Sequence, residues 1–129
     1  MKRTIGVCLL LASLLPLSLE AKECAMEQTT LDIEACHQEQ YAVADKELNQ
    51  VYRQAMKRLP LPARTKLQSA QRLWLKSRDA NLELMAELIK DSGSYGRVVY
   101  ADYKSKQVQK RVQELNYMLA DPSSPMVTW

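Results

Sequence analysis

His37 is the single histidine of this 129-residue chain, and it is the first candidate for acid–base work near neutral pH. It stands beside Cys36. No serine with a matching base and no phosphate-cradling glycine loop accompanies it. Carboxylates are numerous, with fifteen Asp and Glu in all. A glycosidase would need two of them held about 5–9.5 Å apart across a cleft, and a slender helical chain of this size leaves little room for one. The densest polar stretch is AQRLWLKSRDAN, Ala70 to Asn81, where Trp74 sits between Gln71 and Arg78 and an Arg78-Asp79 pair follows. None of these groups is a nucleophile with its base. They suit recognition or structural support, so no enzyme is expected.

The first residues say where such a chain works. Lys2 and Arg3 precede an apolar run from Ile5 to Leu19 that Pro16 interrupts, and Ala21 is a suitable cleavage position. Residues 1–21 therefore read as a secretory signal peptide, too short and too broken for a spanning helix. Cleavage there leaves 108 residues, one domain, with a formal net charge of +2 once Lys2, Arg3 and Glu20 are removed. No dense basic patch is expected, and so no nucleic-acid partner. The mature chain keeps Cys24 and Cys36. In an oxidising compartment these most simply form one disulfide that pins the N-terminal segment. The rival reading is a metal site, but two thiols with only His37 nearby make a poor zinc set. No metal and no cofactor is expected.

The elements that must position these groups are helices. Leu, Ala, Gln, Lys, Arg and Glu dominate and Phe is absent. Breakers fall at Pro60-Leu61-Pro62, at Asp91 to Gly96 and at Asp121 to Pro125. The first helix is predicted from about Thr30 to Leu59, capped by Thr29 or Thr30, with a possible break near Cys36 and His37. Tyr41, Leu48, Tyr52, Ala55 and Leu59 share its apolar face. The second is predicted from about Pro62 to Lys90. Its Leu67, Ala70, Trp74, Ser77, Asn81, Leu84 and Leu88 recur at coiled-coil spacing, with Gln71, Arg78 and Met85 along the edge. The third is predicted from about Tyr95 to Ala120, with Tyr100, Val108, Arg111, Leu115 and Met118 on one face. Short connections make consecutive helices antiparallel. The expected fold is all-α, a small antiparallel three-helix bundle over residues 22–120. A flexible tail, 121–129, follows, and its Met126 and Trp129 could dock on the bundle.

Arg111 on a core stripe needs a partner, because a buried unpaired charge is very costly. Asp45 is the expected carboxylate, and Asn49, Gln71 and Arg78 complete an expected network that fixes helix register. Binding groups are expected on the loops, where Tyr95 and Arg97 follow Ser94, and at the turn carrying Lys57 and Arg58.

Three motifs carry a resemblance. Ala44-Asp45, Leu48-Asn49, Tyr52 and Met56 form the first. Ala70-Gln71-Arg72, Trp74 and Arg78-Asp79-Ala80 form the second, and Arg111 with Leu115 the third. With Cys24 and Cys36 after a signal peptide, the chain resembles the LprI-type lysozyme-inhibitor family across nearly all of its mature length. That resemblance implies an exported or periplasmic protein that binds and blocks lysozyme and so protects peptidoglycan. A net positive charge offers no long-range steering towards a basic lysozyme, so a basic partner calls for an acidic patch on the folded surface. A periplasmic adaptor or immunity-like module and a purely stabilising envelope protein are the alternatives. Family members often carry a second disulfide; here its positions hold Asn81 and, on the third helix, Tyr103. The expected mature protein has one disulfide and no free thiol. Alkylation of the exported, unreduced protein followed by intact mass measurement should show no added label.

Overall fold

In the computed structural model, residues 23–24 and 29–120 are described. The expected signal peptide and the tail after Ala120 lie outside them. Three helices make up the fold: α1, Thr30–Arg58, α2, Leu61–Ile89, and α3, Gly93–Leu119. Each begins or ends within two residues of the position read from periodicity and breakers. The Thr29 hydroxyl caps α1 by accepting from the Asp32 backbone N–H at 3.1 Å, an interaction worth about 1 kcal/mol. No break occurs at Cys36 or His37; α1 runs through both. Pro60 precedes α2, and Pro62 occupies its first turn, where a missing N–H costs nothing.

Two very short connections fold the chain up, down and up. Leu59 and Pro60 join α1 to α2, and Lys90 to Ser92 join α2 to α3. The first and third helices therefore run parallel. The pairs Glu34–Arg97, His37–Asp102 and Tyr41–Lys104 keep a nearly constant offset along them. Ala44, Leu48, Val51 and Ala55 of α1 recur at heptad spacing and are buried, as are Ala101, Ser105, Val108, Val112 and Leu115 of α3. The small residues among them let the two axes approach closely, and α1–α3 is the principal packing contact of the molecule. Tyr41, Tyr52, Met56, Leu59, Trp74 and Leu119 pack around this core. Cys24 and Cys36 form the disulfide, with Cα atoms 5.6 Å apart, and tie the N-terminal segment to α1.

The second helix departs from its expected facing. Leu67 and Leu82 are its fully buried residues, with Gln71, Trp74, Arg78, Met85 and Ile89 half-buried on the same stripe. Ala70, Ser77, Asn81, Leu84 and Leu88, expected in the packing seam, are exposed. The helix is thus rotated so that its polar edge faces the bundle. The reason is Arg111: a buried guanidinium on α3 draws the amide and indole of α2 towards it, which leucines could not satisfy. On α3, Met118 is exposed and Leu119 takes the inward place.

The α2–α3 corner depends on two glycines. Gly93 turns the chain with φ of +58°, a region open chiefly to glycine. A Cβ on buried Gly96 would stand 2.9 Å from the Ile89 carbonyl oxygen and 3.0 Å from Ser92 Cβ. Gly96→Ala should therefore destabilise the fold by roughly 1–3 kcal/mol, as overpacking against backbone does. Urea unfolding followed by circular dichroism measures it, and an unchanged midpoint would show that the corner yields freely.

Candidate functional site

The residues singled out from the sequence converge on a cleft between α1 and α2. Asp45, Asn49, Gln71 and Arg78 all line it, together with Leu48, Tyr52, Gln68, Arg72 and Leu75, and its volume is about 220 Å³. Arg111 reaches the same place from α3. Its Nε donates to the Gln71 side-chain oxygen at 3.0 Å and its Nη1 to Glu114 at 2.8 Å. Asp45 is not its partner, contrary to expectation. That carboxylate instead accepts from Asn49 one turn along α1, at 3.2 Å. Glu114, three residues after Arg111, stands at a spacing that favours pairing on any helix, and that signal was present in the sequence.

Arg111 is 5% exposed, and its Nη2 has no hydrogen-bond partner. The Trp74 ring compensates in part. Its centroid lies 5.7 Å from the Arg111 guanidinium carbon and 5.2 Å from that of Arg78. One indole thus serves two cations, each attracted by the ring's quadrupole. Arg78 also donates twice to its neighbour Asp79. The cluster brings together the carboxylates of Asp45, Asp79 and Glu114, the amides of Asn49, Gln68 and Gln71, and the cations Arg72, Arg78 and Arg111. Its geometry is that of a polar clamp between helices.

His37, nearer the start of α1, shares a hydrogen bond with Gln40 at 3.1 Å and lies 3.6 Å from Asp102. Its neighbour Cys36 is held in the disulfide. Among the described residues no group of three or more His, Cys, Asp or Glu is placed to hold a metal ion.

The expected partner contacts fall at opposite ends. Tyr95 and Arg97 stand on the first turn of α3, not on a loop, beside a groove of about 540 Å³ lined by the start of α1, the end of α2 and the start of α3. Tyr95 is exposed, and Arg97 Nε donates to Glu34 at 3.1 Å. Lys57 and Arg58 lie in the last turn of α1. The separation is roughly 40 Å, the length of such a helix at about 1.5 Å per residue.

These two ends differ in charge. Between Leu48 and Arg78 there is no Asp or Glu, while Arg53, Lys57, Arg58, Arg64, Lys66, Arg72, Lys76 and Arg78 fall there. The Pro60 turn brings Arg53, Lys57, Arg58, Arg64, Lys66 and Arg72 into one half of the bundle, and Lys76 and Arg78 lie near the middle of α2. Towards the other end lie Asp32, Glu34 and Glu39 of α1, Glu83 and Glu87 of α2, Asp91 of the following turn and Asp102 of α3, with Asp45, Glu47 and Asp79 near the middle, against Lys46, Lys90, Arg97, Lys104 and Lys106. The small net charge concealed this division. The end holding the start of α1 and of α3 is thus net acidic, and the end at the Pro60 turn net basic.

Residues 21–115 match the family model of the lysozyme inhibitor LprI. The chain belongs to this family. No curated protein and no solved structure matches it. The matched span includes both disulfide cysteines and reaches Leu115 of α3. Within this LprI-family fold the three sequence motifs have distinct places. Ala44 and Leu48 belong to the α1–α3 seam, Gln71, Trp74 and Arg78 to the clamp, and Arg111 with Leu115 to the buried face of α3. The matched family is one of lysozyme inhibitors. No helix among the described residues is long and apolar enough to cross a membrane.

Arg111→Ala should remove both hydrogen bonds and leave a void beside Trp74, lowering stability by roughly 2–4 kcal/mol. Arg111→Met, which fills the space without a charge, should retain most of that stability. Thermal melts of the two variants distinguish a clamp from an idle surface charge, which would leave both at the native melting temperature.

Proposed function

We propose that this protein is exported, loses its signal peptide near Ala21, and binds and blocks a lysozyme in the bacterial envelope, protecting peptidoglycan. Membership of a lysozyme-inhibitor family supports this. The observation that carries it is the acidic end of the bundle. A protein of slight positive net charge gains nothing by long-range attraction to a basic lysozyme. Segregated charge changes that, because screening over about 8 Å at physiological salt lets the near end act with little opposition from the far one.

The same end supports a mode of blockage. A lysozyme cleft holds two carboxylates. Arg97 engages Glu34 through Nε, and its remaining N–H groups suit a carboxylate of the partner. Exposed Tyr95 and Leu31 provide apolar surface at the same end. Carboxylates around the rim would draw the enzyme in, and Arg97 would meet the cleft. Lys57 and Arg58, at the basic end, suit an acidic partner instead and are the lesser candidates.

Purified mature protein should inhibit at least one lysozyme class in a cell-wall lysis assay. Arg97→Ala and Tyr95→Ala should each weaken inhibition about tenfold, equivalent to roughly 1.4 kcal/mol of binding. Lys57→Ala with Arg58→Ala should leave it unchanged. Absence of both inhibition and binding across a panel of lysozyme classes would overturn the proposal. Binding without inhibition would favour the adaptor or immunity-like reading.

A further inference from the structure

The outward flank of α2 is built like an interface. Ala70, Trp74, Ser77, Asn81, Leu84 and Leu88 recur at spacings of 4, 3, 4, 3 and 4, the pattern of a coiled-coil seam. Trp74 is half-buried inside the bundle and the other five are exposed, Leu84 at 57% and Leu88 at 70%. Leu73, beside Trp74, is 67% exposed. A strip of heptad period, apolar at Ala70, Leu73, Leu84 and Leu88 and polar at Ser77 and Asn81, therefore runs along the helix that packs least against its neighbours.

The charges beside this strip are divided by sign. Lys66 and Lys76 lie towards its N-terminal end, and Glu87 and Asp91 towards its C-terminal end; all four are exposed. We infer that the protein forms a twofold antiparallel homodimer through this face of α2. With Ala70 of one copy opposite Leu88 of the other, Ser77 falls opposite Asn81. Lys66 then comes within a residue of Asp91, and Leu84 meets the Leu73–Trp74 pair. A twofold axis repeats every one of these contacts.

The charge pattern selects this occupant over others. A partner of one sign would match half of α2 and be repelled by the rest, and so would an anionic membrane surface. A second copy turned end for end matches both halves at once. The strip's apolar residues lie apart from Tyr95 and Arg97, so the dimer does not depend on the inhibitor reading, although its flanking Glu87 and Asp91 also belong to the acidic end. Ala86 and Ile89 line the groove beside Tyr95 and Arg97. Ala86 is two residues from both Leu84 and Leu88, which at about 100° per residue places it on the opposite side of the helix. The seam from Ala70 to Leu88 covers roughly 27 Å of helix. That is a small interface beside those of obligate dimers, so the association is an equilibrium governed by concentration.

Sedimentation velocity of the mature protein over a concentration series tests this. The native chain should move from monomer towards dimer as concentration rises, and association should weaken several-fold in about 1 M salt, where the Debye length is about 3 Å. Leu84→Lys should be monomeric with unchanged helical content. Glu87→Lys/Asp91→Lys should be monomeric alone, as should Lys66→Glu/Lys76→Glu. A mixture of these two charge variants should associate, because their heterodimer sets four cations against four carboxylates. A native chain that stays monomeric up to about 1 mM, where even a very weak complex is populated, would overturn the inference. So would undiminished association of Leu84→Lys, or a charge-variant mixture that stays monomeric.

Discussion

The close packing of α1 against α3 is the constraint from which the rest follows. Alanines, a serine and valines at heptad positions let these helices run side by side in the same direction. Parallel helices cannot be joined by a tight turn, because the chain must first travel back their full length. The second helix makes that return. Its 29 residues equal those of α1 and nearly equal the 27 of α3, and two- and three-residue turns then suffice. Since the core is already closed by α1 and α3, α2 need contribute few buried leucines.

A helix held lightly by apolar contact needs something else to set its rotation. Arg111 supplies it. Its guanidinium is out of water, and its partners Gln71 and Trp74 both belong to α2. The penalty for leaving such a group unsatisfied outweighs the gain from burying one more leucine, so α2 turns its polar edge inward. Leu73, Leu84 and Leu88 are thereby left on the outside. The buried charge and the exposed leucines are two results of one choice of rotation. Specificity of register is bought with surface that another copy can cover.

Connectivity also sorts the charges. A cationic run that crosses the Pro60 turn is doubled back on itself, and the carboxylates before and after it meet at the other end. A chain of nearly balanced composition becomes a molecule with two unlike poles. For binding, the local field at the face that meets the partner matters more than the net charge.

The sequence by itself determined the three helices, their limits, the disulfide and the inward face of α1, because periodicity, capping and breakers are local and act within a few residues. It also marked Asp45, Asn49, Gln71, Arg78 and Arg111, which share one cleft region. Their pairing was decided by tertiary structure. Asp45 turns to its helical neighbour Asn49, and Arg111 finds Gln71, Glu114 and the Trp74 ring. The heptad seam of α2 was legible too, but its burial was not. Two stripes on that helix compete for the interior, and only the position of a charge on α3, forty residues beyond Gln71, decides which stripe faces it.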